Sequence, residues 1–138
     1  MSNRLKTFDH IGVVVQDLEE SIAWYAKHLG FEHQSGFEFP GAKVAFIARG
    51  SLRLELFQIE GASPMATERK EAVSNLSIGG INHFAIVVDD LDKTVAELQA
   101  DGVELAYTVN DVPDGSGDRW TFIRDNEGML IELYQPAS

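Results

Sequence analysis

Two histidines and two glutamates occur at matching places in the two halves of the chain, and all four could bind a metal ion. A shift of 73 residues lays His10 on His83, and a shift of 77 residues lays Glu55 on Glu132. Imidazole nitrogens and carboxylate oxygens are common ligands of divalent metals. The pattern predicts that these four side chains bind one divalent ion together.

The segments around these residues are repeated as well. The first half contains FDHIGVVVQDLEESIAWY followed by LRLELFQ, and the second contains INHFAIVVDDLDKTVAEL followed by MLIELYQ. The shift grows by a few residues along each half, as loop insertions would cause. Two copies of one pattern predict two copies of one structural unit.

Each half is predicted to fold as β-α-β-β-β. In the first half, a strand over 7–15 is followed by a helix that Asp17 caps and Gly30 ends, and in the second half Asp89 and Asp90 are predicted caps. The remaining elements follow from apolar and β-branched runs between turn residues. They are strands over 31–38, 43–49 and 51–58, then in the second half a strand over 81–88, a helix over 91–100, and strands over 103–108, 119–124 and 129–135.

The modules are separated by a segment that contains proline and glycine. We predict a single domain, residues 1–138, with module 1 at about 7–59, a linker at about 60–80 and module 2 at about 81–135. The linker is expected to contain one helical turn.

Strand alternation assigns the glutamates to one face of each sheet. Successive side chains of a strand point to opposite faces. Leu54 and Leu56 are therefore predicted to pack on a helix, while Glu55 faces away from it. An unpaired polar group among small and apolar residues is costly to bury, so each His and Glu needs a partner such as a metal.

Composition excludes several functions. The chain has 138 residues, 44% hydrophobic and 24% charged, which is typical of a globular domain. It has no cysteine, which excludes disulfides and thiolate ligands, and its net charge of −11 argues against nucleic acid. No apolar run is long enough for a membrane helix and no leader is evident, so we expect a cytoplasmic protein.

The paired modules, the DHIGVVVQDLEESIAWY and NHFAIVVDDLD segments and the two strand-borne glutamates resemble the vicinal oxygen chelate superfamily. This superfamily includes glyoxalase I, methylmalonyl-CoA epimerase, extradiol dioxygenases and antibiotic-resistance proteins. The resemblance covers nearly the whole chain. It implies an α+β fold in which two paired βαβββ modules form a cupped mixed sheet around a metal site, and it implies a homodimer that acts on a small molecule.

The resemblance also assigns the site. It implies that the four repeated residues hold one divalent ion, which would be Zn, Ni, Co or Mn, with Fe also possible. Five further side chains are candidates to line the cup and contact substrate: Arg53, Phe57, Trp120, Phe122 and Tyr134. A glutamate at both module ends resembles glyoxalase I, whereas the long linker resembles methylmalonyl-CoA epimerase.

Four protein ligands leave about two positions of an octahedral shell for substrate. A metal so placed stabilises the negative charge of an enolate or enediolate while a proton leaves the adjacent carbon. Glu132 or Glu55 is the candidate base for that proton. The predicted function is a metal-dependent lyase or isomerase that acts on a carbonyl or thioester substrate.

Two other functions stay open. An Fe(II) extradiol-type dioxygenase would use two histidines and one carboxylate, and a fourth ligand at Glu55 argues against it. A metal-free drug-binding resistance protein would not need the four repeated ligands. A fosfomycin-resistance enzyme is a further possibility, although such relatives generally use three protein ligands.

Overall fold

A computed structural model describes residues 3–138, and the chain divides into two compact units, Met1–Pro64 and Met65–Ser138. Each unit contains one of the two predicted modules. The boundary between the units lies within the predicted linker.

Unit 1 has the predicted order of elements. Its four strands form one sheet in the order β1-β4-β3-β2, in which β1 and β4 are parallel and the other pairs are antiparallel. The elements are β1 (Ile11–Val15), α1 (Leu18–Leu29), β2 (Glu32–Phe39), β3 (Ala42–Arg49) and β4 (Leu52–Ile59).

Unit 2 repeats this arrangement in the order β5-β8-β7-β6, with β5 and β8 parallel. The segment predicted as a linker precedes this sheet and contains two short helical turns, whereas one was expected. The elements are a 3₁₀ turn (Thr67–Lys70), α2 (Ala72–Asn75), β5 (Phe84–Val87), α3 (Leu91–Ala100), β6 (Asn110–Asp111), β7 (Arg119–Arg124) and β8 (Leu130–Gln135). The α+β class is confirmed.

The core of each unit lies between its long helix and one face of its sheet. Leu54 and Leu56 of β4 are fully buried, and so are Ile131 and Leu133 of β8. Burying one such side chain contributes roughly 1.5–3 kcal/mol. Glu55 and Glu132, which lie between these buried residues, are only partly buried and point to the other face of the sheet. The predicted alternation is therefore confirmed.

Capping residues begin and end the helices as the sequence predicts. Asp17 accepts a hydrogen bond from the backbone N–H of Glu20 at 3.0 Å, and Asp90 accepts one from Lys93 at 3.1 Å. Gly30 ends α1 with φ of 71°, a conformation that favours glycine. Among residues 3–138, no helix has the length and apolar character needed to cross a membrane.

The strand predicted over 103–108 is wrong. Only Leu105 forms an isolated bridge, to Ile123, and the sheet gains its fourth strand at Asn110–Asp111 instead. Two backbone carbonyls of this segment accept hydrogen bonds from side chains and not from a neighbouring strand. Thr121 Oγ1 donates to Tyr107 O at 2.7 Å, and Asn110 Nδ2 donates to Thr108 O at 2.7 Å.

The first strand of each unit starts later than predicted. β1 begins at Ile11 and β5 at Phe84, so His10 and His83 each lie directly before a strand rather than within it. Burial does not favour a longer strand here, because Phe8 is 70% exposed and Ile81 is 79% exposed.

Candidate metal centre

In unit 1, the strand register brings His10 to Glu55. Glu55 lies opposite Gly12 in the parallel pair of β1 and β4, and His10 precedes Gly12 by two residues. His10 Nε2 lies 3.4 Å from Glu55 Oε1, and the Glu55 side chain is only 17% exposed.

Unit 2 repeats this geometry. Glu132 lies opposite Ala85 in the parallel pair of β5 and β8, and His83 precedes this small residue by two positions. His83 Nε2 lies 3.2 Å from Glu132 Oε1, and the Glu132 side chain is again 17% exposed. In both units the strand register therefore places the glutamate opposite the residue two positions after its histidine.

The residue before each histidine binds the other ring nitrogen. Asp9 Oδ2 lies 2.5 Å from His10 Nδ1, and Asn82 Oδ1 lies 2.7 Å from His83 Nδ1. A carboxylate only accepts hydrogen bonds, so Nδ1 of His10 must donate to Asp9. In a neutral imidazole, this leaves the lone pair of Nε2 directed at Glu55.

At His10–Glu55 the consequence is an electrostatic mismatch, because the Nε2 lone pair lies 3.4 Å from a carboxylate oxygen. His83 Nε2 lies 3.2 Å from Glu132 Oε1, and its Nδ1 partner Asn82 is an amide, which can either accept or donate a hydrogen bond. Two acceptors at this separation repel each other unless a cation neutralises them. That cation can be a proton or a metal ion, and the donor set of imidazole nitrogen and carboxylate oxygen fits the ligands of a divalent metal.

A polar network surrounds His10. Arg53 Nη1 donates to Asp9 Oδ2 at 2.9 Å, and Arg53 Nε donates to Gln34 Oε1 at 3.0 Å. The Arg53 guanidinium lies 3.9 Å from the centre of the Phe46 ring, whose edge-on contact with His10 has a centroid distance of 5.3 Å. The hydrogen bond from His10, helped by the charge of Arg53, lowers the pKa of Asp9.

A row of aromatic side chains begins beside His83. Phe122 lies opposite Glu132 in the antiparallel pair of β7 and β8, and its ring meets His83 edge-on at a centroid distance of 4.7 Å. Trp120 contacts Phe122 and stacks on Tyr107 at 5.5 Å with an interplanar angle of 9°. Of the predicted lining residues, Phe122 therefore contacts the second His–Glu pair, and Trp120 packs on Phe122.

The other predicted lining residues are placed differently. Phe57 follows Glu55 by two residues on the same face of β4 and is partly buried. Tyr134 lies on the Glu132 face of β8, but its hydroxyl donates to Asp118 Oδ2 at 2.5 Å. This hydrogen bond is the main cause that raises the pKa of Tyr134 to about 12.

The structure brings the four predicted ligands together as two pairs, each within its own unit. Among residues 3–138, no group of three or more His, Asp or Glu side chains is close enough to hold a metal ion. Asp9 and Asn82 were not predicted as partners of the histidines. Their signal was their position, since each directly precedes a repeated histidine.

Known proteins match nearly the whole length of this chain. The Bacillus subtilis (strain 168) protein YwkD, described as uncharacterised, is 34% identical over 134 residues, which cover 95% of this chain and 98% of YwkD. The mitochondrial methylmalonyl-CoA epimerase of Homo sapiens is 28% identical over 137 residues, which cover 95% of this chain and 74% of the epimerase.

Solved structures show the same fold. The trypanothione-dependent glyoxalase I of Leishmania major matches with a TM-score of 0.71 and 26% identity, over 95% of this chain and 87% of that chain. The family model described as "Glyoxalase/Bleomycin resistance protein/Dioxygenase superfamily" matches residues 7–133. The chain therefore belongs to the glyoxalase/bleomycin resistance protein/dioxygenase superfamily.

Proposed function

We propose that this protein is a divalent-metal-dependent lyase or isomerase that stabilises an enolate or enediolate of a carbonyl or thioester substrate. In this proposal His10, Glu55, His83 and Glu132 supply the ligands of one ion, from two modules of one chain or from two chains. Zn, Ni, Co or Mn fits the donor set, and so does Fe.

One observation carries the proposal: each unit places Nε2 of a histidine beside a carboxylate oxygen. The separations of 3.4 Å and 3.2 Å bring one nitrogen ligand and one oxygen ligand together at repeat-equivalent positions. A single pair of this kind could be satisfied by a proton alone. The repetition of the same pair at the same place in both sheets supports a common cation-binding role instead.

When bound, the ion would supply Lewis acidity to the oxygen on which negative charge develops. The protein's own part is the movement of the proton. A carboxylate that is only 17% exposed is shielded from water, so Glu55 or Glu132 can take a proton from the carbon beside the carbonyl and return it. Return to the same carbon from another direction gives an epimer, and return to a neighbouring atom gives an isomer.

The surroundings of both pairs suit an apolar or partly apolar substrate. In unit 1, register places Val14, Phe37, Val44 and Phe57 on the Glu55 face of the sheet. Val14 is 56% exposed and Phe37 is 49% exposed, so part of this apolar surface is open. In unit 2, Phe122 and Trp120 lie on the Glu132 face. An apolar surface that excludes water lowers the local dielectric constant and so strengthens the electrostatic interactions of a bound anion.

The relatives narrow the reaction class in the same direction. The human relative is an epimerase of a coenzyme A thioester and the Leishmania relative is a glyoxalase I, as their names state. Both activities are compatible with one proton-transfer step beside a carbonyl. We further propose that the protein works as a homodimer in the cytoplasm on a small molecule.

Solvent deuterium incorporation tests this function directly. Metal-loaded protein would be incubated in D₂O with a panel of hemithioacetals and acyl-thioesters, and exchange at the carbon beside the carbonyl followed by NMR. We expect exchange with at least one compound, and a loss of about 10² to 10⁴-fold in Glu55→Gln or Glu132→Gln, which remove the base.

Glu38→Gln is the matched control, because Glu38 is exposed on β2 and lies on the opposite face from Glu55. It should exchange as fast as the unaltered protein. Equal exchange in both site variants, or no exchange by metal-loaded protein with any member of the panel, would contradict the proposal. Oxygen consumption with a catechol by iron-loaded protein would favour a dioxygenase instead.

A further inference from the structure

We propose that Arg53 is a positioning residue for His10: it holds the Asp9 carboxylate against His10 Nδ1 and so makes His10 a stronger metal ligand than His83. This inference rests on the proposed metal-binding function and goes beyond the set of four ligands. It also gives Arg53 a role other than contact with substrate.

The contacts around His10 form a closed ring of four side chains. Asp9 binds His10 at 2.5 Å and Arg53 binds Asp9 at 2.9 Å. The guanidinium of Arg53 lies 3.9 Å from the centre of the Phe46 ring, and that ring packs edge-on against His10. Each member is therefore held by two others, which fixes the orientation of the imidazole.

Arg53 is itself fixed in this position. Its Nε donates to Oε1 of Gln34, a β2 residue, at 3.0 Å, while its Nη1 donates to Asp9 Oδ2. Two directed hydrogen bonds and the stacked Phe46 ring restrict the planar guanidinium to one orientation. Its charge is also already paired with Asp9, so a substrate carboxylate would have to compete for it.

The second pair lacks this network. His83 is bound at Nδ1 by Asn82, a neutral amide, and its edge-on neighbour is Phe122. Position 130, which corresponds to Arg53 in the repeat, is Leu130. The two histidines thus differ in the charge of the group that binds Nδ1, although their geometry at Nε2 is nearly the same.

This difference has a chemical consequence. A carboxylate bound to the far nitrogen of a metal-ligating histidine makes that histidine a better electron donor and fixes its tautomer. A neutral amide can fix the tautomer but adds no negative charge. His10 is therefore the stronger of the two nitrogen ligands, and the ion is held mainly by the first His–Glu pair.

Exchange of the two neighbouring residues tests the inference. Asp9→Asn gives His10 the partner that His83 has, and Asn82→Asp gives His83 the partner that His10 has. Zn²⁺ affinity, measured by competition with a chelator, should fall about 10 to 100-fold in Asp9→Asn. It should rise in Asn82→Asp. Asp101→Asn, which removes one exposed negative charge at the end of α3, should leave the affinity unchanged.

Arg53→Lys isolates the positioning role, because it keeps the positive charge and removes the fork and the stacking. It should weaken Zn²⁺ binding in the unaltered background and have no further effect in Asp9→Asn, since Arg53 acts through Asp9. If Arg53 only contacted substrate, Arg53→Lys would alter KM and leave Zn²⁺ affinity unchanged. Equal effects of Arg53→Lys in both backgrounds would overturn the inference.

A measurement without metal separates this inference from the proposed function. Nitrogen-15 NMR of the metal-free protein at a pH of about 8, above the usual histidine pKa of about 6.5, reports which ring nitrogen holds the proton. We expect Nδ1–H at His10, with loss of this preference in Asp9→Ala and its retention in Asp9→Asn. Nε2–H at His10 would overturn the inference. Zn²⁺ binding that is strong but equal in all variants would overturn it while leaving the proposed function intact.

Discussion

The side-chain oxygen Oε1 of Gln58 accepts a hydrogen bond from the backbone N–H of Leu18 at 2.8 Å, so the end of β4 holds the start of α1. Unit 2 repeats the contact, because Gln135 Oε1 accepts from Leu91 N–H at 2.6 Å. These bonds satisfy an N–H group that a helix leaves without an internal partner. Each ties the strand that bears the glutamate to the helix of its unit.

Gln58→Ala or Gln135→Ala should lower the free energy of unfolding by about 1–2 kcal/mol, because each leaves a helix-terminal N–H without its acceptor. Urea denaturation would measure the loss. Gln99→Ala, on the exposed side of α3, is the control and should change stability by less than about 0.5 kcal/mol. Equal midpoints for all three variants would show that the glutamine bonds contribute nothing.

Gly36→Ala should destabilise the protein by about 1–3 kcal/mol through overpacking. A Cβ at position 36 would lie 2.8 Å from the backbone oxygen of Val44, which cannot move without disturbing β3. Gly12→Ala is the matched control, since its Cβ would meet Phe57 Cε2 at an ordinary 3.5 Å. If Gly36→Ala unfolds at the same urea concentration as Gly12→Ala, the close approach is not a real constraint.

Asp118→Asn should lower the pKa of Tyr134 from about 12 towards the usual value of about 10, because the hydrogen bond to the Asp118 carboxylate is the main cause of the raised pKa. A difference absorbance titration of tyrosinate at alkaline pH, with Tyr134→Phe to identify the signal, would measure this. Coincident titrations of Asp118→Asn and the unaltered protein would refute it.

The sign of the linked stability follows from the raised pKa. The folded state favours the protonated phenol of Tyr134, so this contribution is present below pH 10 and is lost as the pH rises towards about 12.

Asp92→Asn should reduce the loss of stability in acid. The hydrogen bonds from Arg119, at 3.0 Å each, lower the pKa of Asp92 below 3.8. A lowered pKa means that the contribution is present above pH 3.8 and is lost as the pH falls through the folded-state value. Urea midpoints measured through this acid range should fall less steeply in the variant. Identical slopes would be evidence against the linkage.

Much of the fold followed from the sequence because the relevant signals are local. Capping by Asp17 and Asp90, the turn at Gly30 and the alternation around Leu54 and Leu56 each depend on neighbouring residues. The strand predicted over 103–108 was wrong because a contact there is not local. The carbonyl of Tyr107 is bound by Thr121, which is 14 residues away, and that of Thr108 is bound by Asn110.

The candidate site was predictable to the same degree. The repeat located both His–Glu pairs, and parallel register across Gly12 and Ala85 explains why each pair meets. The role of Arg53 was not predictable, because it depends on Asp9, 44 residues away, and on the ring of Phe46. Strand alternation places Arg53 on the same face of β4 as Glu55, but it does not identify Asp9 as the partner of Arg53.

The most direct test of the account is the metal content of freshly purified, tag-free protein, measured by mass spectrometry beside a variant that carries both His10→Ala and His83→Ala. The account predicts about one divalent Zn, Ni, Co or Mn ion per chain and loss of that ion in the variant. Absence of metal from the unaltered protein even after reconstitution, or an undiminished metal content in the variant, would contradict it.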